Sequence, residues 1–222
     1  MLTLTNLLQV IDDRSQELAL SVSTTAEKVR YLNLSLKDIR LRHDFEEAIT
    51  TTSLAFVRSS TKGYAAVTNA TDFWAPIELN NADDDYHFHY MHPKTLKELD
   101  GDPHWAFQSV EKAFAKQGAD MLIYHDETET LTLKYYSKNL VYDDSASAWR
   151  EDFVAADTDD YFLVNNDEPL IVRTLMFLME KEPKSKTKYD QLKANFDEVM
   201  GLERYEKPSQ RLDPAEPLEF IG

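Results

Sequence analysis

The chain has 222 residues, of which 42% are hydrophobic and 11% aromatic, enough for one large domain or a core domain that carries an insertion. Its formal charge is −16, and so acidic a surface repels phosphate and argues against a grip on nucleic acid. It has no cysteine, which excludes disulfides, thiolate metal sites and cysteine nucleophiles and fits assembly in a reducing cytoplasm.

The opening stretch, MLTLTNLLQVIDDRSQELAL, is interrupted by acids and lacks the basic start and apolar run of a signal peptide. It predicts a helix instead, with Leu7, Leu8, Val10 and Ile11 on one face, Leu18 and Leu20 extending it, and Thr5 as cap. Thr24-Thr25-Ala26-Glu27 has capping-box spacing. Behind it Val29, Leu32, Leu36 and Ile39 recur at helical intervals, so a second helix runs to about Phe45.

The middle changes character. LAFVRSSTKGYAAVT is β-branched and aromatic around a turn signal, and predicts a hairpin. Pro76 in FWAPIEL makes any strand there an edge strand, or one that starts after it. YHFHYMH alternates, PKTLKELDG suggests a turn or two of helix, and HWAFQSVEKAFAKQG leans to strand. ADMLIYHDETETLTLKYYSKNLV predicts two strands around the polar turn DETET.

The last third returns to helices. Asn166-Asp167-Glu168-Pro169 is a helix start, with acids at the positive dipole end and proline where its missing N–H is harmless. Leu170, Ile171, Leu175, Leu178 and Met179 form its buried stripe. After KEPKSKTK, a second helix carries Tyr189, Leu192, Phe196 and Val199 and ends at Gly201. The tail LERYEKPSQRLDPAEPLEFIG holds Pro208, Pro214 and Pro217 and is expected to be extended.

The expected fold is therefore α+β: an antiparallel four-helix core from residues 1–46 and 159–201, two helices from each end of the chain, a central β-rich insertion at 47–158, and an extended C-terminal tail at 202–222. Charge follows this division. Glu46–Glu168 holds 24 acidic and 9 basic residues, a net of −15, while the two ends together hold 16 and 15, a net of −1. An acidic middle remains compatible with lining a passage through which DNA slides without adhering. No stretch approaches the ~20 apolar residues that cross a membrane, so a soluble, unexported protein with no membrane partner is expected.

The chemical signals are weak. His87, His89 and His92 lie beside Asp83, Asp84 and Asp85. In a strand His87 and His89 share a face and could chelate a metal, but His92 falls on the other face, and the HExxH type of spacing is absent. Exposed histidines on the polar side of an aromatic strand are the simpler reading. No GxSxG and no phosphate loop occur. Asp143-Asp144, Glu151-Asp152 and Asp159-Asp160 could pair as acid and base, though solvated loops and caps use the same residues. Lys181, Lys184, Lys186 and Lys188 form a candidate subunit-contact basic patch. In the tail, Leu218, Phe220 and Ile221 make an apolar tip that either folds back on its own domain or docks on another chain. No catalytic residue, metal or cofactor is expected.

The order of parts resembles the head–tail connector, or portal-adaptor, proteins of tailed double-stranded DNA phages. NLLQVIDDRSQELALSVSTTAEKVRYLNLSLKDIRLRHDF looks like that family's opening helix pair, with the apolar–Asn pair Leu32-Asn33 and the closing aromatic Phe45. LTLKYYSKNLV, with Tyr135-Tyr136, looks like its β motif, DDYFLVNNDEPLIVRTLMFLMEKE like its third helix and YDQLKANFDEVMGL like its fourth. The long insertion and its histidine-rich strand depart from the pattern. The resemblance implies a non-enzymatic structural virion protein. It would form a ring of identical subunits, expected as a dodecamer, under the portal at the capsid vertex, assembled in the host cytoplasm and joining capsid to tail or neck proteins. DNA would pass through its channel at ejection without specific binding. The portal would be met by the tail, through Pro208, Leu212, Pro214, Pro217, Leu218, Phe220 and Ile221. The alternatives are another neck or tail-completion protein and, in a different class, a small metal-dependent hydrolase using His87 and His89.

Overall fold

A computed structural model describes residues 1–21, 23–81, 83, 86–99, 112–181 and 186–201. In chain order its elements are α1 (Leu4–Glu17), α2 (Thr25–Arg42), β1 (Ile49–Phe56), β2 (Tyr64–Thr68), β3 (Phe73–Asn81), β4 (His89–Tyr90), α3 (Pro93–Glu98), β5 (Ala113–Gln117), β6 (Asp120–Tyr124) and β7 (Glu129–Ser137). They continue with β8 (Val141–Asp143), β9 (Ala148–Arg150), β10 (Tyr161–Phe162), α4 (Glu168–Lys181) and α5 (Lys186–Met200). The chain divides into two compact units: Met1–Ala48 joins the segment that begins at Lys138, and Ile49–Ser137 forms the other. From sequence the second boundary is expected at 158/159; it falls at Ser137/Lys138.

In the first unit α1, α2 and α4 start on local caps. Thr3, not Thr5, caps α1, its hydroxyl accepting from the Asn6 N–H. Thr24 accepts from the Glu27 N–H at 3.3 Å, as its spacing predicts. The Glu168 N–H is taken by Asn166 Oδ1 at 3.1 Å. Leu4, Leu7 and Ile11 of α1, Val29, Leu32, Leu36 and Ile39 of α2, and Phe196 and Met200 of α5 join the apolar cluster around α4. Tyr189 and Leu192 of α5 are only partly buried against it.

An antiparallel four-helix core is not what forms. The described residues hold five helices and three sheets, with strands making most of the core. Two causes are visible. The cluster around α4 is completed by strand and loop residues: Leu140, Val141, Phe153 and Phe162 are all buried in it, so helix does not close on helix alone. The second unit builds apolar clusters of its own, mostly from strands.

In the second unit the sheet ordered β1-β7-β3 and the sheet ordered β2-β6-β5-β4 contribute to one cluster. Alternation decides the faces. Phe114, Met121 and Ile123 turn to that cluster, while Ala113, Ala115 and Leu122 turn to Leu96 and Leu99 at α3. Pro76 lies in β3, an edge strand, and the register shifts beside it.

The expected hairpin is absent: β1 pairs with β7, not with β2, and β2 pairs with β6. The two strands expected around DETET form, as β6 and β7, and fall in different sheets. Each short turn carries the chain from one sheet to the other, which lets successive strands present their apolar residues to the same interior. Gly63, at the end of the first crossing, faces the Tyr124 ring so closely that a Cβ would collide with it.

Leu175 is 1% exposed at the centre of the first unit. Leu175→Asp buries an unpaired charge at a cost of several kcal/mol. The variant is expected to lose the cooperative unfolding transition of this unit, read by circular dichroism against denaturant.

Candidate functional site

Among the described residues, a dense group of interacting polar side chains lies at the small sheet ordered β10-β8-β9. Its register sets Tyr161 opposite Tyr142 and Tyr142 opposite Trp149, and sets Phe162 opposite Val141 and Val141 opposite Arg150. Alternation therefore gives the sheet two unlike faces. Val141 and Phe162, both fully buried, point to the core. Tyr142, Trp149 and Tyr161 cluster on the other face, with ring centroids 4.9 Å (Tyr142–Trp149), 5.0 Å (Tyr142–Tyr161) and 6.4 Å (Trp149–Tyr161) apart.

Arg150 ties the β8–β9 turn to the loop that precedes β10. Its Nη1 donates to Asp143 Oδ2 at 2.9 Å and to Asp157 Oδ2 at 2.7 Å, and its Nη2 meets Asp160. Asp143 also accepts from the Ser145 hydroxyl at 2.7 Å and the Ala146 N–H at 2.9 Å. These two bonds, followed by the Arg150 charge, hold its carboxyl below the ordinary aspartate range. The Asp160 carbonyl accepts the Leu4 N–H, and Thr3 bridges Tyr161, so the start of α1 is tied to the same place.

Among the described residues, Asp143, Asp157 and Asp160 are the group whose ligand atoms, within 4.8 Å of one another, could hold a metal ion. The guanidinium already supplies the positive charge there, so the arrangement does structural work. The acidic pairs noted in sequence split accordingly. Asp143 and Asp160 enter the cluster while Asp144 and Asp159 stay exposed. Glu151 pairs with Arg40 at 3.0 Å and Lys138 at 3.1 Å, and Asp152 pairs with Lys37 at 3.4 Å. Burial works to raise the Glu151 carboxyl, but its bonds to Lys138 and Arg40 outweigh that and leave it lowered. Asn33, of the Leu32-Asn33 pair, bonds the Phe153 backbone in both directions, at 3.0 Å and 2.8 Å.

The three histidines do not converge. His87 bonds Asn80 at 2.6 Å and faces Glu78 at 2.8 Å, His89 lies exposed in β4, and His92 caps α3 by accepting the Lys94 N–H at 3.2 Å. Tyr86, Phe88 and Tyr90 face the apolar cluster, as strand alternation requires. A histidine that sequence did not single out is the buried one. His125, 2% exposed, meets Glu129 through Nε2, and the Tyr86 hydroxyl reaches both. Tyr86 is pushed well up, by burial first and then by its bond to Glu129. In the paired-tyrosine motif, Tyr135 donates to Asp72 at 2.9 Å, and Ser137 donates to the same carboxylate at 2.8 Å.

In the basic patch, Lys181 pairs with Glu27, and Lys188 donates to the Glu17 carbonyl at 3.2 Å. Lys186 is exposed at the start of α5, and Lys184 is outside the described residues. The tail positions Pro208, Leu212, Pro214, Pro217, Leu218, Phe220 and Ile221 are also outside them. Trp149 and Arg150 went unnoticed in sequence. Their one signal is that Arg150 and Lys138 are the only cations between Lys138 and Glu168. No protein-family model and no curated protein matches the chain.

Arg150→Met would leave three carboxylates crowded together, and mutual repulsion would raise their native pKa values above the unfolded ones. A raised carboxylate contributes stability at low pH that is lost as pH rises through the native value. The variant should therefore lose about 3 kcal/mol at neutral pH and regain part of it on acidification below the unfolded carboxylate range. Urea denaturation at neutral and acidic pH measures this. The wild type should show the opposite trend at Asp143, whose lowered carboxyl stabilises above its unfolded value and ceases to as pH falls.

Proposed function

We propose that this chain is a structural adaptor of a tailed phage, forming a ring under the portal and joining capsid to tail without catalysis. The observation that carries the reading is the layout: helices from both ends of the chain, α1 and α2 with α4 and α5, share one apolar cluster in a unit from which a long strand-rich segment is inserted. That is the order of parts on which the resemblance to head–tail connectors rests.

Three further features support it. The polar constellations among the described residues are committed to holding elements together: Arg150 joins a hairpin to a loop, Asn33 joins α2 to Phe153, and His125 joins β6 to β7. The acidic excess lies between Glu46 and Glu168, where a wall that must not retain DNA would need it. The C-terminal segment carries apolar residues suited to docking on another chain.

The test is association. Purified chain mixed with portal protein should comigrate with it on size exclusion, and failure to associate with portal or virions at any concentration would sink the proposal. Deletion after Pro208 should leave the unfolding transition of the body intact and abolish portal binding; a truncated chain that unfolds would place the tail in its own core. Metal analysis of untagged protein should find no stoichiometric metal. A metal that disappears when both His87 and His89 are changed to alanine would favour the hydrolase instead.

A further inference from the structure

The exposed face of the β10-β8-β9 sheet is a surface on which the fold places three aromatic rings with nothing described above them. Trp149 is 43% exposed although it touches both Tyr142 and Tyr161, and the two tyrosines are half-buried. One end of this patch is acidic. Asp144 follows Tyr142 by two residues and Asp159 precedes Tyr161 by two on the neighbouring strand, while Asp143, Asp157 and Asp160 are held by Arg150, which alternation sets on the opposite face. Asp144 and Asp159 are exposed there. An aromatic patch with an acidic flank has the chemistry that receives a proline-rich strand bearing a basic residue, because proline rings stack on tryptophan and a preformed polyproline helix loses little entropy on docking.

The chain contains such a segment. Beyond the described residues, Arg211-Leu212-Asp213-Pro214-Ala215-Glu216-Pro217 reads R-x-x-P-x-x-P. A polyproline helix has three residues per turn with a rise of about 3.1 Å each, so it sets Arg211, Pro214 and Pro217 along one side at intervals of about 9 Å. The prolines match the rings and the arginine matches the carboxylates.

We propose that residues 211–217 of one copy dock on the Tyr142–Trp149–Tyr161 patch of the next, with Arg211 toward Asp144 and Asp159. The inference rests on the adaptor reading, in that it supplies the contact between ring members. Patch and segment are different surfaces, so the contact is heterologous and propagates head to tail until rotation closes it. Leu218, Phe220 and Ile221 lie beyond the docked segment and stay available for the portal.

The experiment uses the full chain and reads mass by light scattering over a range of concentrations. Wild type should self-associate. Trp149→Ala, and separately the double variant Pro214→Ala/Pro217→Ala, should each weaken self-association at least tenfold. Mixing the two should restore a one-to-one pair and nothing larger, because one partner keeps the patch and the other keeps the segment. A second set spares the packed rings: Asp144→Lys/Asp159→Lys should weaken association and Arg211→Glu on the same chain should restore it. Variants that associate like wild type, a mixture that stays monomeric, or a wild type in which each copy holds its own segment as a monomer would overturn the proposal. Portal binding is measured alongside. A monomeric wild type that still joins portal removes this contact and leaves the adaptor reading standing, whereas self-association through the patch without portal binding removes the reading and keeps the contact.

Discussion

Helix α4 must be covered on nearly every side, and the first unit is the consequence. Leu170, Ile171, Val172, Leu175, Met176, Leu178 and Met179 are all buried, which is far more than one stripe. A helix so apolar around its circumference cannot rest against a single partner. It takes α1 and α2 from the start of the chain, α5 from its end, and Val141, Phe153 and Phe162 from the segment that precedes it. The polar residue inside is satisfied locally: the Thr174 hydroxyl bonds the Leu170 carbonyl at 2.7 Å and lies 3.0 Å from the Ser35 hydroxyl. The start of the helix is pinned from outside. Arg14 holds Glu168 with both guanidinium nitrogens, at 2.6 Å and 2.9 Å, and the Leu2 N–H donates to Asp167 at 2.9 Å. Burial pushes the Asp167 carboxyl up despite that bond.

The same unit uses its cations inwardly. Arg14, Lys28, Lys37, Arg40, Arg42, Arg150, Arg173 and Lys181 each hold a carboxylate. Two also lie over rings: Arg173 sits 4.1 Å from the Phe177 centroid and 5.8 Å from that of Phe196, and Arg42 lies 5.7 Å from Phe196. This is how α5, with few buried residues of its own, is kept against α2 and α4. Carboxylates left over from such pairing, Asp144 and Asp159 among them, remain at the surface. The acidic charge that this unit leaves unpaired therefore lies at its surface, where it acts on whatever approaches.

What was legible in the sequence is what local physics decides. Thr24 with Glu27, Asn166 before Glu168, and the stripes Val29–Ile39 and Leu170–Met179 announce helices because capping and period 3.6 act within a few residues. The inward Phe88 and outward His87 and His89 follow from period 2. What stayed hidden depends on pairing between distant strands. β1 and β2 look like a hairpin because a turn separates two β-prone runs, yet Leu54 lies opposite Leu131 and Val67 opposite Met121. The α4 cluster looks like a helix-only core because Val141–Asp143 and Tyr161–Phe162 are too short to show a period. Trp149, Tyr142 and Tyr161 meet through a register that no spacing in the chain announces.

In the second unit buried polar groups sit where one sheet meets the other. When successive strands enter opposite sheets, the turn between them passes near the interior, and side chains there must be polar enough to meet the turn yet buried enough to close the core. His125 fills this role between β6 and β7. Its ring packs against Phe56 and Phe88, while Nε2 meets Glu129 at the start of β7. Tyr86 completes the group, with Lys112 4.0 Å from its ring. Lys116 does comparable work between β5 and β3. Its ammonium donates to the Trp74 carbonyl and lies 5.1 Å from the Phe73 ring, and burial lowers its pKa. Both residues tie one sheet to the other, so these two buried titratable groups mark a seam between layers.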